Sequence, residues 1–235
     1  FAGQTVTRQP YSSFARTLCC LSQERNVSRV LDVVLGSGNT AFMVGTCMER
    51  AKKRTWTVAG FEMDRGVVQS AKQLLHNFGA DVIPCGGSSP PTTPCAPPLV
   101  KRSGTPGWHA TIVHGLVSQP GLDALCADGG ADLAIIDPTS SFAWEVWAVE
   151  STCKPAYYLI NNINLPGHAG WAKEWLLGLH KIGGAFFHEM ASGVLRDSGA
   201  VANAEKLHGE ARMSSVYESR AWILLARRSL YKRTG

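Results

Sequence analysis

The chain has 235 residues, 45% hydrophobic and only 17% charged, with a formal net charge of +5. That balance fits a folded protein with a full core and excludes a disordered chain. No apolar stretch reaches the ~18 residues of a membrane span. The basic residues cluster only at 50–54 and 227–233, which read as solvated element ends and argue against a nucleic-acid surface.

Residues 1–28 are polar and form an N-terminal extension, with a helix expected over 11–22. A strand follows at 29–35, then a helix at 40–50 with Phe42, Met43, Cys47 and Met48 as its apolar positions. Residues 55–61 are rich in strand formers and end at Glu62. In 65–78, Val67, Val68, Ala71, Leu74, Leu75 and Phe78 recur at three and four, which predicts an amphipathic helix stopped by Gly79. Asp64 stands where it caps that helix.

Residues 84–107 then hold seven of the twelve prolines, and no core can be built from them, so they read as a surface insertion. Further strands are expected at 109–114, 131–136, 156–160, 185–188 and 221–226, and helices at 120–127, 142–150 and 168–181. The alternation predicts one α/β unit over 29–235, a Rossmann-like three-layer αβα sandwich around a mostly parallel seven-stranded sheet.

Seven cysteines (Cys19, Cys20, Cys47, Cys85, Cys95, Cys126, Cys153) are an odd number without a C-x-x-C pair. That disfavours zinc and predicts free thiols in a reducing, intracellular compartment. The chain starts at Phe1, so any targeting segment is out of view.

The most informative stretch is 30–42, where an apolar run ends in Asp32 and is followed by Gly36, Gly38 and a helix start. Such a turn presents bare backbone to a nucleotide. The string Gly36-Ser37-Gly38-Asn39-Thr40-Ala41 satisfies the G-x-G-x-x-A dinucleotide pattern, but Asp32, four residues ahead, would repel a pyrophosphate. A carboxylate there suits a cationic ligand instead.

Asp32-x-x-x-Gly36-x-Gly38, Glu62 at the end of the second strand, and seven strands with the last set apart and antiparallel form a set. This set resembles the class I S-adenosylmethionine-dependent methyltransferases over about residues 25–228. The resemblance implies S-adenosylmethionine as cofactor, with Asp32, Gly36 and Gly38 under its methionine half and Glu62 accepting from the ribose hydroxyls.

Two pieces, Leu133-Ala134-Ile135-Ile136-Asp137 and Leu159-Ile160-Asn161-Asn162 with Pro166-Gly167 beyond, narrow this. They resemble the metal-dependent O-methyltransferases that act on catechols and related phenols. Carried over, Asp137, Asn161 and Asn162 would hold a divalent cation such as Mg2+, and Ser118 and Gln119 would line the adenine. The implied activity is O-methylation of a small hydroxylated substrate.

The chain departs from those patterns. Val34 stands where the motif has glycine, and overpacking there would cost ~1–3 kcal/mol. Asn161 replaces an aspartate, leaving one carboxylate for a hard cation. Ser140 replaces a lysine base, and Leu116 stands where many relatives place an acidic residue for the adenine amine. His168, after Pro166-Gly167, is the candidate general base. His109, His114, His180 and His188 fall in or near core elements and read as structural. Trp144, Trp147, Trp171 and Trp175 read as core or as a partner interface, and with the Pro-rich insertion they are the candidate protein-docking surfaces. The competing reading is therefore a catalytically inactive methyltransferase fold acting as a structural or scaffolding subunit.

Overall fold

A computed structural model describes residues 13–23, 27–76, 79–84, 108–127, 129–137, 142–161, 187–195 and 220–227. In chain order the elements are α1 (Ser13–Gln23), β1 (Arg29–Asp32), α2 (Asn39–Arg50), β2 (Trp56–Glu62), α3 (Arg65–Leu74), β3 (Asp81–Pro84) and β4 (Trp108–His114). Then come α4 (Gln119–Cys126), β5 (Leu133–Ile136), α5 (Phe142–Thr152), β6 (Tyr157–Ile160), β7 (Phe187–Leu195) and β8 (Arg220–Arg227).

The strands form one sheet in the order β3-β4-β2-β1-β5-β6-β8-β7. Every pair from β3 to β6 is parallel, and β8 runs antiparallel to both of its neighbours. The mostly parallel αβα reading and the antiparallel last strand therefore hold. The count does not: the described residues give eight strands where the pattern predicts seven. The extra one, β3, is a four-residue edge strand too short to show a period. It pairs in parallel with β4. A parallel pair needs a crossover of a dozen or more residues, and the Pro-rich segment between them is long enough to supply it. β1 is shorter than expected, since pairing stops at Asp32, and β7 extends to Leu195, beyond the expected 188.

Strand alternation sends side chains to two cores. One holds Val30, Val58, Ile112, Ile135, Leu159 and Leu224 beneath α1, α2 and α3. The other holds Leu31, Phe61, Val113, Ile136, Ile160 and Leu225 beneath α4 and α5. Helix α1, within the N-terminal extension, contributes Phe14, Leu18 and Leu21 to the first core.

Polar contacts fix the edges. Asp132 Oδ2 accepts from the amides of Ser28 and Arg29 at 2.8 Å each, pinning the start of β1 beside β5. Arg227 donates to both oxygens of Glu150 at 2.7 Å, and Tyr158 Oη donates to the same carboxylate at 2.8 Å, locking α5 onto β6 and β8.

The free-thiol expectation is corrected at four positions. Cys19 pairs with Cys47, joining α1 to α2, and Cys126 pairs with Cys153, joining α4 to the end of α5. Cysteines 27 and 28 residues apart in sequence carry no local signature of pairing; the helix packing brings them together. Cys20 is a free, exposed thiol. The placement in a reducing compartment rested on unpaired thiols and loses that basis. Among the described residues no helix is long and apolar enough to cross a membrane.

Candidate functional site at the carboxyl edge of the sheet

The turn after β1 is built by two backbone bonds. Val33 N donates to Ile135 O and Leu35 N to Phe61 O, both at 2.9 Å, so the chain leaves β5 and swings over β2. This crossing requires Gly60, because a Cβ there would lie 2.5 Å from the Asp32 carbonyl oxygen. Sequence reading passed over Gly60; a glycine inside a strand-forming run was the available signal.

Gly36 and Gly38 then do different work. Gly36 has φ +54°, and a Cβ built on it would meet nothing within 4 Å, so its backbone faces open space. Gly38 has φ +81° and packs α2 on α3: its Cβ would come within 3.3 Å of Ala71 and Leu75. Gly38 is also the N-cap of α2 and brings no side-chain acceptor. The first amides of α2 therefore have no side-chain cap at the point where the chain is barest.

The acidic and amide side chains gather on one face. Val30, Ile135 and Leu159 belong to the α1–α3 core, while Leu31, Val33, Ile136 and Ile160 belong to the other. By alternation Asp32, Asp137 and Asn161 fall on the α1–α3 face, at the ends of three neighbouring strands. Asn161 N donates to Ile136 O at 2.9 Å, which continues the register past β5 and β6. Asp32 is only 2% exposed. Burial first, and then the charge of Asp137, push its carboxyl well above the usual carboxylate range. Asp32 Oδ2 and Asn161 Oδ1 are buried with no hydrogen-bond partner among the described residues.

Glu62 ends β2 on the same face, half-exposed, and its Oε1 accepts from Asp64 N at 2.8 Å. Asp64 caps α3 as expected, accepting from Val67 N at 2.9 Å. Next to Glu62 stands Met63, 66% exposed, and beyond the neighbouring β4 stands Leu116, 69% exposed. The Gly115 N to Glu62 O bond of 2.9 Å holds these two strand ends together. Met63 was missed in the sequence because a lone methionine after a strand carries no periodic signal.

Ser118 and Gln119 have local structural partners. Ser118 is the N-cap of α4, accepting from Gly121 N at 3.3 Å. Gln119 Nε2 donates to Asp123 at 2.8 Å and to Thr152 at 2.7 Å, tying α4 to α5. Val34 is half-buried and packs on the α4–α5 core with Val117 and Leu125, on the face opposite Asp32. His168, Asn162, Ser140, Trp171 and Trp175 lie outside the described residues.

No family model matches the chain, and no curated protein matches it in sequence. Its fold does match solved structures. Against the O-methyltransferase TomG from Streptomyces achromogenes, in complex with SAM, the TM-score is 0.56 at 12% identity, covering 91% of this chain and 78% of that one. Cofactor-bound Rv0187 from MTB gives 0.56 at 15% identity over 94% and 83%. Precorrin-6y C5,15-methyltransferase from Geobacter metallireducens gives 0.51 at 14% identity over 91% and 86%. The chain carries the fold of the class I S-adenosylmethionine-dependent methyltransferases.

Proposed function

We propose that this chain binds S-adenosylmethionine at the carboxyl ends of β1 and β2 and transfers its methyl group to the oxygen of a small hydroxylated substrate. The observation that carries the reading is the backbone at Gly36, open on its ligand side and adjoining an α2 amino end without a side-chain cap. One strand away, Glu62 has a carboxylate oxygen beyond the one bonded to Asp64, suited to ribose hydroxyls. Met63 and Leu116 offer apolar surfaces to a flat base, so an adenine would be held by packing where Leu116 replaces an acidic partner.

The cofactor, when bound, supplies an electrophilic methyl on a sulfonium. The chain's own part is to align the acceptor oxygen with that methyl and exclude water. Asp137 would orient the acceptor hydroxyl, and His168 is the candidate to take its proton. A hard cation would be held by Asp137, Asn161 and Asn162 and would lower the pKa of a bound hydroxyl. Asn161 Oδ1, buried without a hydrogen-bond partner among the described residues, fits such a role. We take 29–235 as one methyltransferase-like unit carrying the Pro-rich insertion, with 1–28 as an N-terminal extension whose helix α1 packs on it.

Calorimetric titration of the purified chain with S-adenosylhomocysteine tests the reading, and micromolar binding is expected. Absence of binding at millimolar concentration would refute it and favour the scaffolding alternative. That alternative draws on Trp144 and Trp147, 41% and 55% exposed on α5, as a protein-contact surface. Val34→Gly should leave the affinity nearly unchanged, because the valine packs away from the Asp32 face.

A further inference from the structure

Helix α4 has only eight residues, yet its position sets that of Leu116. Leu116 stands in the link 115–118 between β4 and α4. One end of that link is fixed by the bond from Gly115 N to Glu62 O. The other end is Ser118, the N-cap of α4. The first turn of α4 lies directly on β2, since a Cβ on Gly121 would come within 2.5 Å of Phe61 Cε1. The end of α5 holds α4 at both of its ends. Gln119 donates to Thr152 at 2.7 Å, and Cys126 is bonded to the next residue, Cys153. Beyond Cys126 the chain returns to β5 through Gly129 and Gly130, whose amides both donate to Cys126 O. Neither glycine brings a side chain that could anchor this end of the helix, so the covalent bond is its tether.

We propose that the Cys126–Cys153 bond is a redox-sensitive brace: a dithiol reductant that opens it releases the carboxyl end of α4, loosens the Leu116 wall and weakens cofactor binding. The inference rests on the reading of Leu116 as a wall for the adenine. In the exchange, a thiolate of the reductant attacks Cys126 Sγ, on the more exposed residue of the pair at 8% against 2%. The S–S bond breaks, and Cys153 leaves as a thiolate and takes up a proton. The second thiolate of the reductant then displaces Cys126, which is protonated in turn. The reductant ends as its own disulfide, and two electrons have passed to the pair. The Cys19–Cys47 bond joins α1 to α2 on the other face of the sheet and serves as the internal control.

The test is calorimetric titration of the full chain with S-adenosylhomocysteine, oxidised and after dithiothreitol, beside amide hydrogen exchange. Reduction should weaken binding about fivefold or more, as the fraction of chains with an ordered wall falls. A Cys126→Ser, Cys153→Ser double variant should bind as weakly and ignore dithiothreitol. A Cys19→Ser, Cys47→Ser double variant should keep the oxidised affinity and lose it on reduction. Amides of 121–126 should exchange faster in the reduced chain, while those of 133–136 stay protected. Equal affinity before and after reduction overturns the proposal, as does sensitivity that follows the Cys19–Cys47 pair. If the serine pair at 126 and 153 fails to fold, reduction of the unmodified chain reads the same bond without substitution. If the oxidised chain binds no S-adenosylhomocysteine, the methyltransferase proposal falls and the effect on cofactor falls with it. Exchange then still decides the brace: unchanged protection of 121–126 on reduction overturns it whatever the ligand does.

Discussion

Replacing Gly36 and Gly38 by alanine, one at a time, separates binding from folding at the turn after β1. Both glycines are left-handed, φ +54° and +81°, and an L-residue in that region costs about 1–2 kcal/mol. For Gly36→Ala the cost ends there, because the added methyl meets nothing within 4 Å. For Gly38→Ala the methyl arrives 3.3 Å from Ala71 Cβ and Leu75 Cδ1, adding overpacking of about 1–3 kcal/mol. Chemical denaturation should therefore show a loss of about 1–2 kcal/mol for Gly36→Ala and about 2–5 kcal/mol for Gly38→Ala. Calorimetry with S-adenosylhomocysteine should show the reverse emphasis. Gly36→Ala should lose about tenfold or more in affinity, some 1.4 kcal/mol, because its methyl occupies the space a ligand must enter. Gly38→Ala, where it remains folded, should lose less. Unchanged ligand affinity in Gly36→Ala would refute the reasoning, as would a stability loss matching that of Gly38→Ala.

Other substitutions probe the surroundings. Asp32 has a folded-state pKa raised above its unfolded value by burial and by Asp137, so its ionisation opposes folding. Stability relative to Asp32→Asn should be level below about pH 4, the unfolded carboxylate value. It should fall as pH rises to the folded value and then plateau; urea melts across pH check this, and a gap widening toward acid contradicts it. Arg227→Met strands the buried Glu150, 6% exposed in its side chain, and should cost about 3–5 kcal/mol. Glu150→Gln with Arg227→Met should recover part of that in a double-mutant cycle. Reducing the Cys126–Cys153 pair, 27 residues apart, should lower stability by about 3–4 kcal/mol on the chain-entropy model. A Cys126→Ser, Cys153→Ser double variant should melt like the reduced protein at that link.

The parts legible in the sequence are those where a local pattern and the global fold agree. Residues 65–74 show the three–four repeat with Asp64 as cap, and the helix forms there. The apolar run 133–136 is wholly buried between two helical layers, as a central parallel strand must be. The parts not legible are set by partners far away in the chain. The count of strands depended on β3, whose place is fixed by β4 across the Pro-rich segment. The disulfides depended on helix packing. The contacts of Ser118 and Gln119 likewise depend on where α4 lies. In the fold one caps α4 and the other bonds to Thr152 on α5.

Val34 shows how the same limit bears on function. Read along the chain, a branched residue two positions after Asp32 occupies the slot of a motif glycine and threatens the cofactor's methionine tail. That inference assumes the turn keeps its usual hand. Here Val33 and Val34 both pack on the α4–α5 core, so the strict alternation of β1 has ended before residue 34. Leu35 returns to the α1–α3 core and bonds its amide to Phe61 O. Gly36 is the next position of the turn with open space where a Cβ would stand. The valine at 34 therefore does not stand against the proposed cofactor site: it packs on the α4–α5 core, and under that proposal the position that has to lack a side chain is residue 36.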